Sequence, residues 1–516
     1  LDVKSIAVFL GAGTAFLVLW SILHHVFSRT RAVPGPFLAR FTNLWFLWRT
    51  NTKRLERDLL ALHRRHGPVV RYGPNRFSIC HPDAGRVLYG LGRQNLAKSD
   101  WYSTWGDPVG KTPRYPPLFA ELDVARHARN RRLFQGAYAL SALVGYEPAV
   151  DACADLFSVR LREFAAVGNE GAVVINMGHW LQCYAFDVIG LVTYSKRIGF
   201  LDRGEDVGGV MEAIESGVTY ASLAGVYPWV HPYFFVAKKW LKGRALNGRQ
   251  YVINWAAASV KEYKSTTSAQ QVKQQSERSK KTQRLSLNSS DENETQEGEE
   301  GLAIGAPDFL TKFFAKHEDN PEAFTPAHIL TGTLANVFAG SDTTGIGLSA
   351  TLYELLRNPS VLLKLRQEAV IKESLRLHGV TGMVLERVVP DGGITLAGTF
   401  FPEGSIVGVH PSVEHRDPAF FGKDADSFVP ERWLTDNSEK LALMMRHWMP
   451  FGTGTRTCIG RHVSQLGISK LIPRLVRDFD FALSGKCADP AGGWTTENFG
   501  FIKPRDFNVQ VQERRI

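Results

Sequence analysis

Phe451-Gly-Thr-Gly-Thr-Arg-Thr-Cys-Ile-Gly460 sets one cysteine in a glycine-rich loop that leads straight into a helix. Gly452, Gly454 and Gly460 allow tight turns and close approach to a flat ligand. The pattern predicts a helix over Ile459 to Phe479, with Val463, Leu466, Leu471 and Leu475 as its apolar stripe. The positive end of that helix, with its unpaired first-turn N–H groups, lies beside Cys458 and favours a deprotonated sulfur. A lone cysteine more often packs as a small buried hydrophobe. The argument therefore rests on what surrounds it.

Three further segments bear on it. Glu373-Ser-Leu-Arg376 puts a carboxylate and a guanidinium three residues apart, neighbours on a helix surface. Read alone, that is a solvated ion pair worth little. Phe428-Val-Pro-Glu-Arg-Trp433 supplies Arg432 shortly before the cysteine loop. Ala339-Gly-Ser-Asp-Thr-Thr344 lies inside a long predicted helix that starts at Thr325-Pro326, an N-cap followed by Pro at the first helical position. Asn358-Pro359 ends it, so it spans roughly 46 Å at 1.5 Å per residue. Gly, Ser, Asp and Thr in its middle are poor helix formers whose hydroxyls and carboxylates compete for backbone partners. The bland reading is a bend in a buried helix.

Together these segments, in this order, resemble the cytochrome P-450 superfamily, whose haem-binding signature is Phe-x-x-Gly-x-Arg-x-Cys-x-Gly. The resemblance implies a mainly α fold with small β-sheets and haem b (iron protoporphyrin IX) ligated by Cys458. It further implies a buried triad of Glu373, Arg376 and Arg432 behind the haem, and an acid–alcohol pair, Asp342 and Thr343, that delivers protons. His127 and Arg131 match the family's pattern of an aromatic residue or His followed four later by Arg, both near a haem propionate. Arg387 stands where relatives place another propionate-binding arginine, Arg456 is the arginine of the signature, and Phe451 packs near the sulfur. The plainer alternative is that Arg126, Arg129, Arg131 and Arg132 form an ordinary solvated basic helix face. The texture of the chain is most like fungal, pisatin-demethylase-type members.

Composition agrees with one large catalytic unit. The chain has 516 residues, 44% of them hydrophobic, and a formal charge of +10. Five widely spaced cysteines without a Cys-x-x-Cys pair imply no disulfide framework. No aromatic-interleaved basic motif points to nucleic acid; the excess charge suits an acidic redox partner or an anionic membrane surface. Ile6 to Leu23 is uncharged and about 27 Å long as a helix, close to a bilayer's hydrocarbon thickness. Residues 1–30 are accordingly expected to form a single transmembrane helix in the endoplasmic reticulum. Arg29, Arg31 and Arg40 behind it leave the domain at 31–516 in the cytosol. A cleaved signal peptide is the competing reading. Pro34-Gly-Pro36 resembles the family's proline hinge.

Two stretches look unusual. Residues 265–301 are so poor in apolar side chains that a disordered surface insertion is expected. Between Pro359 and Glu373 the family has a longer connection with an extra short helix. Here Ser360 to Lys372 contains no Gly or Pro, and one continuous helix would carry Glu373 and Arg376 away from Arg432, leaving a non-catalytic product; the alternative is that part of the stretch unwinds into a strained loop and the triad still forms.

The resemblance implies a membrane-anchored monooxygenase that inserts one oxygen atom of O₂ into a lipophilic small molecule by hydroxylation, O-demethylation or epoxidation. Electrons would come from NADPH through NADPH-cytochrome P-450 reductase, with cytochrome b5 as an additional donor. A haem-thiolate isomerase or dehydratase that does not use O₂ is the alternative, and the Asp342-Thr343 pair argues against it.

Overall fold

The computed structural model describes residues 3–90, 96–107, 116–167, 173–240, 248–285, 307–362, 367–489 and 493–514. The helices that position the site are α1 (Val3–Phe27), α2 (Val124–Phe134), α3 (Glu147–Val167), α4 (Met177–Tyr194), α5 (Val210–Ala224), α6 (Gly248–Leu285), α7 (Pro326–Arg357), α8 (Gln367–Leu377) and α9 (Arg461–Asp478). The strands are short: β1 (Val69–Gly73), β2 (Arg76–Ile79), β3 (Val174–Asn176), β4 (Arg387–Val388), β5 (Ile394–Leu396), β6 (Thr399–Phe401), β7 (Ile406–Gly408), β8 (Phe479–Ser484), β9 (Thr495–Asn498), β10 (Ile502–Arg505) and β11 (Asn508–Glu513). They form one four-stranded sheet in the order β1-β2-β7-β4, a three-stranded sheet β3-β11-β8 and two hairpins, β5-β6 and β9-β10. The expected mainly α body with small sheets is what forms.

The long helix read from the sequence is α7, and it is the axis of the molecule. Thr325 caps it, with Pro326 in its first turn, and the Thr325 N–H donates to His328 Nδ1 at 3.1 Å. Its small and polar middle has a packing reason. A Cβ on Gly340 would come 2.9 Å from Ile189 Cδ1, and one on Gly345 would come 3.1 Å from the Gln182 backbone, so these glycines let α4 lie close against α7. The hydroxyls of Ser341, Thr343, Ser349 and Thr351 each donate to the carbonyl four residues back, which satisfies them inside the helix.

The N-terminal expectation is corrected. The apolar run forms α1, but among the described residues no helix is long and apolar enough to cross a membrane. The single-pass anchor, the endoplasmic-reticulum placement and the membrane contact that rested on it are withdrawn. Hydropathy counts residue types, whereas the end of α1 carries Ser21, His24 and His25 and docks on protein. Ser21 Oγ donates to the Phe41 carbonyl at 2.6 Å, and His25 meets the Phe41 ring edge-on at 5.2 Å. Pro34-Gly-Pro36 is held against β1: Arg71 N–H donates to Pro34 O at 2.8 Å, and a Cβ on Gly35 would lie 2.3 Å from Arg71 O.

The two unusual stretches lie partly outside the described residues. α6 continues through Leu285, so the backbone of 265–285 is helical within the stretch read as a surface insertion. Residues 286–301 lie outside the described residues. Two helical pieces are described on either side of the join before Glu373. Pro359–Leu362 is helical and α8 covers Gln367–Leu377, with the Gln367 side-chain amide donating to Ser469 O at 2.5 Å; residues 363–366 lie outside the described residues.

Candidate active site

The cysteine loop is closed by a hydrogen bond from Cys458 N–H to Phe451 O at 2.8 Å. Gly452 and Gly454 take φ of +68° and +67°, the left-handed region that favours glycine. At Gly454 a Cβ would sit 1.7 Å from Tyr89 O, so no side chain fits there. Gly460 takes ordinary φ of −86° as the N-cap of α9, so the freedom expected of it is not used. Of the five cysteines, Cys80, Cys153, Cys183 and Cys487 are buried and Cys458 is exposed. Its surroundings are nonetheless protein: desolvation raises the thiol pKa, opposed by the N–H groups of Gly460 and Arg461 and by the charges of Arg131 and Arg461. Phe451 packs edge-on to Trp448 at 6.1 Å.

Glu373, Arg376 and Arg432 meet, all buried. Glu373 accepts from Arg376 Nη2 at 2.7 Å and Nε at 2.9 Å, from Arg432 Nε at 2.9 Å, from Trp433 Nε1 at 2.9 Å and from Val429 N–H at 2.9 Å. Arg376 also donates to the carbonyls of His415, Ala425 and Ser427 at 2.6, 2.5 and 3.0 Å. The separation of the triad that one continuous helix would impose does not occur. The cluster is wired to the cysteine loop. The Arg376 carbonyl meets His415 Nδ1 at 3.0 Å, His415 Nε2 accepts from Met449 N–H at 2.9 Å, and Trp448 Nε1 donates to Lys372 O at 2.9 Å.

In front of the loop, α2, β4 and the loop itself converge as a cluster of cations. Arg131 donates to Thr457 O at 2.8 Å and Arg456 to Glu121 O at 2.8 Å, which hold the two guanidiniums in place. Arg387 is aligned by β4, whose neighbour Glu386 is fixed by Tyr72 at 2.6 Å and by Arg76 and Ser99. His127 is driven down to about 3 by burial first and then by Arg456, Lys98, Arg131 and Arg387. Arg456 is lowered to about 10 by burial and by Arg387. Lys98, absent from the sequence-based set, is fully enclosed and its pKa falls well below normal through burial, Arg387 and Arg456. A one-residue bridge pairs Lys98 with Arg387, and its ammonium donates to Phe119 O at 2.6 Å. The nearby Glu121 carboxylate is taken by Arg126, at 2.8 Å to Nη2. Such a cluster of basic groups, each disfavouring its neighbours' charge, fits a ligand that brings carboxylates, and haem with its propionates fits both these groups and the accessible sulfur.

On α7, Asp342 and Thr343 point different ways. Thr343 is half-buried and donates to Ala339 O at 2.6 Å. Asp342 is buried, accepts from the Gln182 amide, and lies 3.9 Å from Lys503 Nζ. Burial raises its pKa, Lys503 lowers it and Glu215 raises it. Lys503, like Lys98, carried no signal in the sequence, since both reach the site only through tertiary contacts.

The sequence pattern of the family described as Cytochrome P450 matches residues 34–504. The chain belongs to the cytochrome P450 family. Among similar proteins, a pisatin demethylase of Fusarium vanettenii is 33% identical over 97% of this chain and 92% of its own length. Cytochrome P450 monooxygenases of Aspergillus terreus (33% identical, 90% and 93% covered) and Penicillium aethiopicum (32%, 97% and 97%) are comparably similar. Membership makes the protein an oxidoreductase of monooxygenase type, and haem b with NADPH-dependent reduction is what the family implies.

Proposed function

We propose that this P450 oxidises a lipophilic small molecule by hydroxylation, O-demethylation or epoxidation, with Cys458 as its haem ligand and NADPH-cytochrome P450 reductase as electron donor. Cytochrome b5 is a further donor in this reading. The observation that carries it is the convergence of Lys98, His127, Arg131, Arg387 and Arg456 in front of an accessible cysteine at a helix N-terminus.

Haem, when bound, supplies an iron that activates O₂ and oxidises an unactivated C–H bond, with thiolate donation favouring O–O cleavage. The chain's part is to hold and to exclude. Arg131, Arg387, Arg456 and Lys98 would hold the propionates, and His127, kept neutral by burial and by those neighbours, would offer a ring N–H beside them. The N–H groups of Gly460 and Arg461 stabilise the thiolate, while Phe451 and Trp448 keep water from its side of the loop. Thr343, whose hydroxyl proton is held on Ala339 O, would act as the alcohol of the relay by turning that hydroxyl towards the ligand side of α7, with Asp342 as the acid that supplies the proton. A cavity of about 100 Å³ between α5 and α7, lined by Trp105, Tyr220, Phe235, Ile253 and Phe338, supports a lipophilic substrate. The printed name of the Fusarium relatives supports demethylation as one reaction to test first.

The test is the reduced, carbon-monoxide-bound spectrum together with product analysis. A red-shifted Soret band that Cys458→His abolishes, with NADPH-dependent oxygenated product, is expected. A normal thiolate band in Cys458→His would overturn the ligand assignment.

A further inference from the structure

Asp342 stands at the inner end of a ladder of alternating charges. Its carboxylate is 3.9 Å from Lys503 Nζ. Lys503 Nζ is 3.0 Å from Glu215 Oε2, and Glu215 Oε1 is 2.5 Å from Arg505 Nη2. Arg505 Nε reaches Glu497 at 2.9 Å, and Glu497 meets Lys53 Nζ at 3.1 Å. Exposure climbs outward, from 5% at Asp342 through 16% at Lys503 and 29% at Glu215 to 36% at Glu497 and Lys53. The rungs belong to different elements: Asp342 to α7, Lys503 and Arg505 to β10, Glu497 to β9 and Glu215 to α5. The groups that face Asp342 are Lys503 and Arg505 from β10, Glu215 from α5 and the neutral Gln182 from α4.

We propose that Lys503 is a positioning residue: it holds the Asp342 carboxylate on the α4–β10 side of α7 and, through Glu215, ties that hold to the docking of α5. Lys503 is shared. While α5 is docked, Glu215 draws part of its charge away from Asp342; when α5 shifts, the ammonium is left to Asp342 alone. The position of α5, which lines the substrate cavity, thereby sets how readily the acid of α7 takes up a proton. This rests on the reading of Asp342 as the acid.

The experiment is pH-dependent infrared difference spectroscopy of the haem-loaded protein, with the protonated Asp342 band assigned by its loss in Asp342→Asn. Lys503→Met is expected to move the titration midpoint up by about 1 pH unit or more, since it removes the facing cation. Glu215→Gln is expected to move it down, since it removes a like charge and frees Lys503. Lys503→Arg should return it towards the wild-type value. A purely structural role would move both variants the same way or neither, and either result overturns the proposal. Should Lys503→Met fail to retain haem, the downward shift in Glu215→Gln decides alone; an unchanged or raised midpoint there refutes the ladder. Product formed per NADPH in Asp342→Asn, if unaltered, would instead strike the catalytic role of Asp342 and leave the electrostatics of the ladder standing.

Discussion

Glu373→Ala is the substitution whose cost can be worked most directly from the structure. It removes the acceptor of five hydrogen bonds, four from buried side-chain nitrogens and one from Val429 N–H. Arg376 keeps three carbonyl partners, and Arg432 keeps the half-exposed Asp424 carboxylate at 3.1 Å, but two buried cations face each other without their shared counter-charge. Breaking a buried pair in this way costs about 3–5 kcal/mol, set against a typical folding stability of about 5–15 kcal/mol. The loss falls on the cysteine loop first, because α8 is bonded to it through Arg376–His415–Met449 and through Lys372–Trp448. The assay is the half-life of the thiolate–carbon-monoxide band at fixed temperature, beside guanidinium unfolding followed by circular dichroism. A half-life at least ten-fold shorter is expected, which needs only about 1.4 kcal/mol of the penalty to appear in the barrier. Glu163→Ala is the control: it breaks a half-exposed pair with Arg160 and should change stability by about 0.5 kcal/mol or less. A half-life for Glu373→Ala within two-fold of wild type would refute the reasoning.

Gly454→Ala should lower haem retention more than any other single methyl added to the loop, because it combines a left-handed φ, costing about 1–2 kcal/mol, with a clash against Tyr89 O; normal haem content would contradict it. Lys98→Met should speed haem transfer to apomyoglobin while leaving the apoprotein as stable or more so, since it removes a repelling buried cation; slower transfer would argue against a propionate contact. Thr343→Ala should keep the thiolate spectrum and divert NADPH to hydrogen peroxide, and unchanged coupling would remove it from proton delivery. His63, His378 and His410 are each lowered to about 4 by burial. Below pH 6.5 the unfolded chain therefore binds more protons than the folded one, and stability should fall as the pH drops from about 6.5 through 4. Thermal midpoints across that range, with a shallower slope in His378→Gln, check the sign.

The parts legible in the sequence were those written in local patterns. Thr325-Pro326 and Asn358-Pro359 bracket α7 to within a residue, and the Cys458 loop and the Glu373 and Arg432 segments each carry their own spacing. Lys98 and Lys503 were not legible, because an isolated lysine in a strand or loop says nothing about which cations or carboxylates the fold will bring to it. α1 failed for a related reason: a hydropathy count cannot see that Ser21 and His25 have partners on Phe41. Helix propensity across the join said nothing about where Glu373 ends up, because Val429, Arg432 and Trp433 reach its carboxylate only through tertiary contacts.

The seating of Pro34 and Gly35 on Arg71 makes the N-terminal segment part of a mechanical train. Arg71 lies in β1, β1 is laddered to β2, β2 to β7, and β7 to β4, where Arg387 is paired with Val407. Tension applied ahead of Pro34, by a surface tether or a bulky fusion, is borne by hydrogen-bonded rungs that end at a guanidinium of the propionate cradle. Linkers attached upstream should therefore be slack enough to carry no load, and a taut one acts as a lever on cofactor grip from the opposite edge of the sheet.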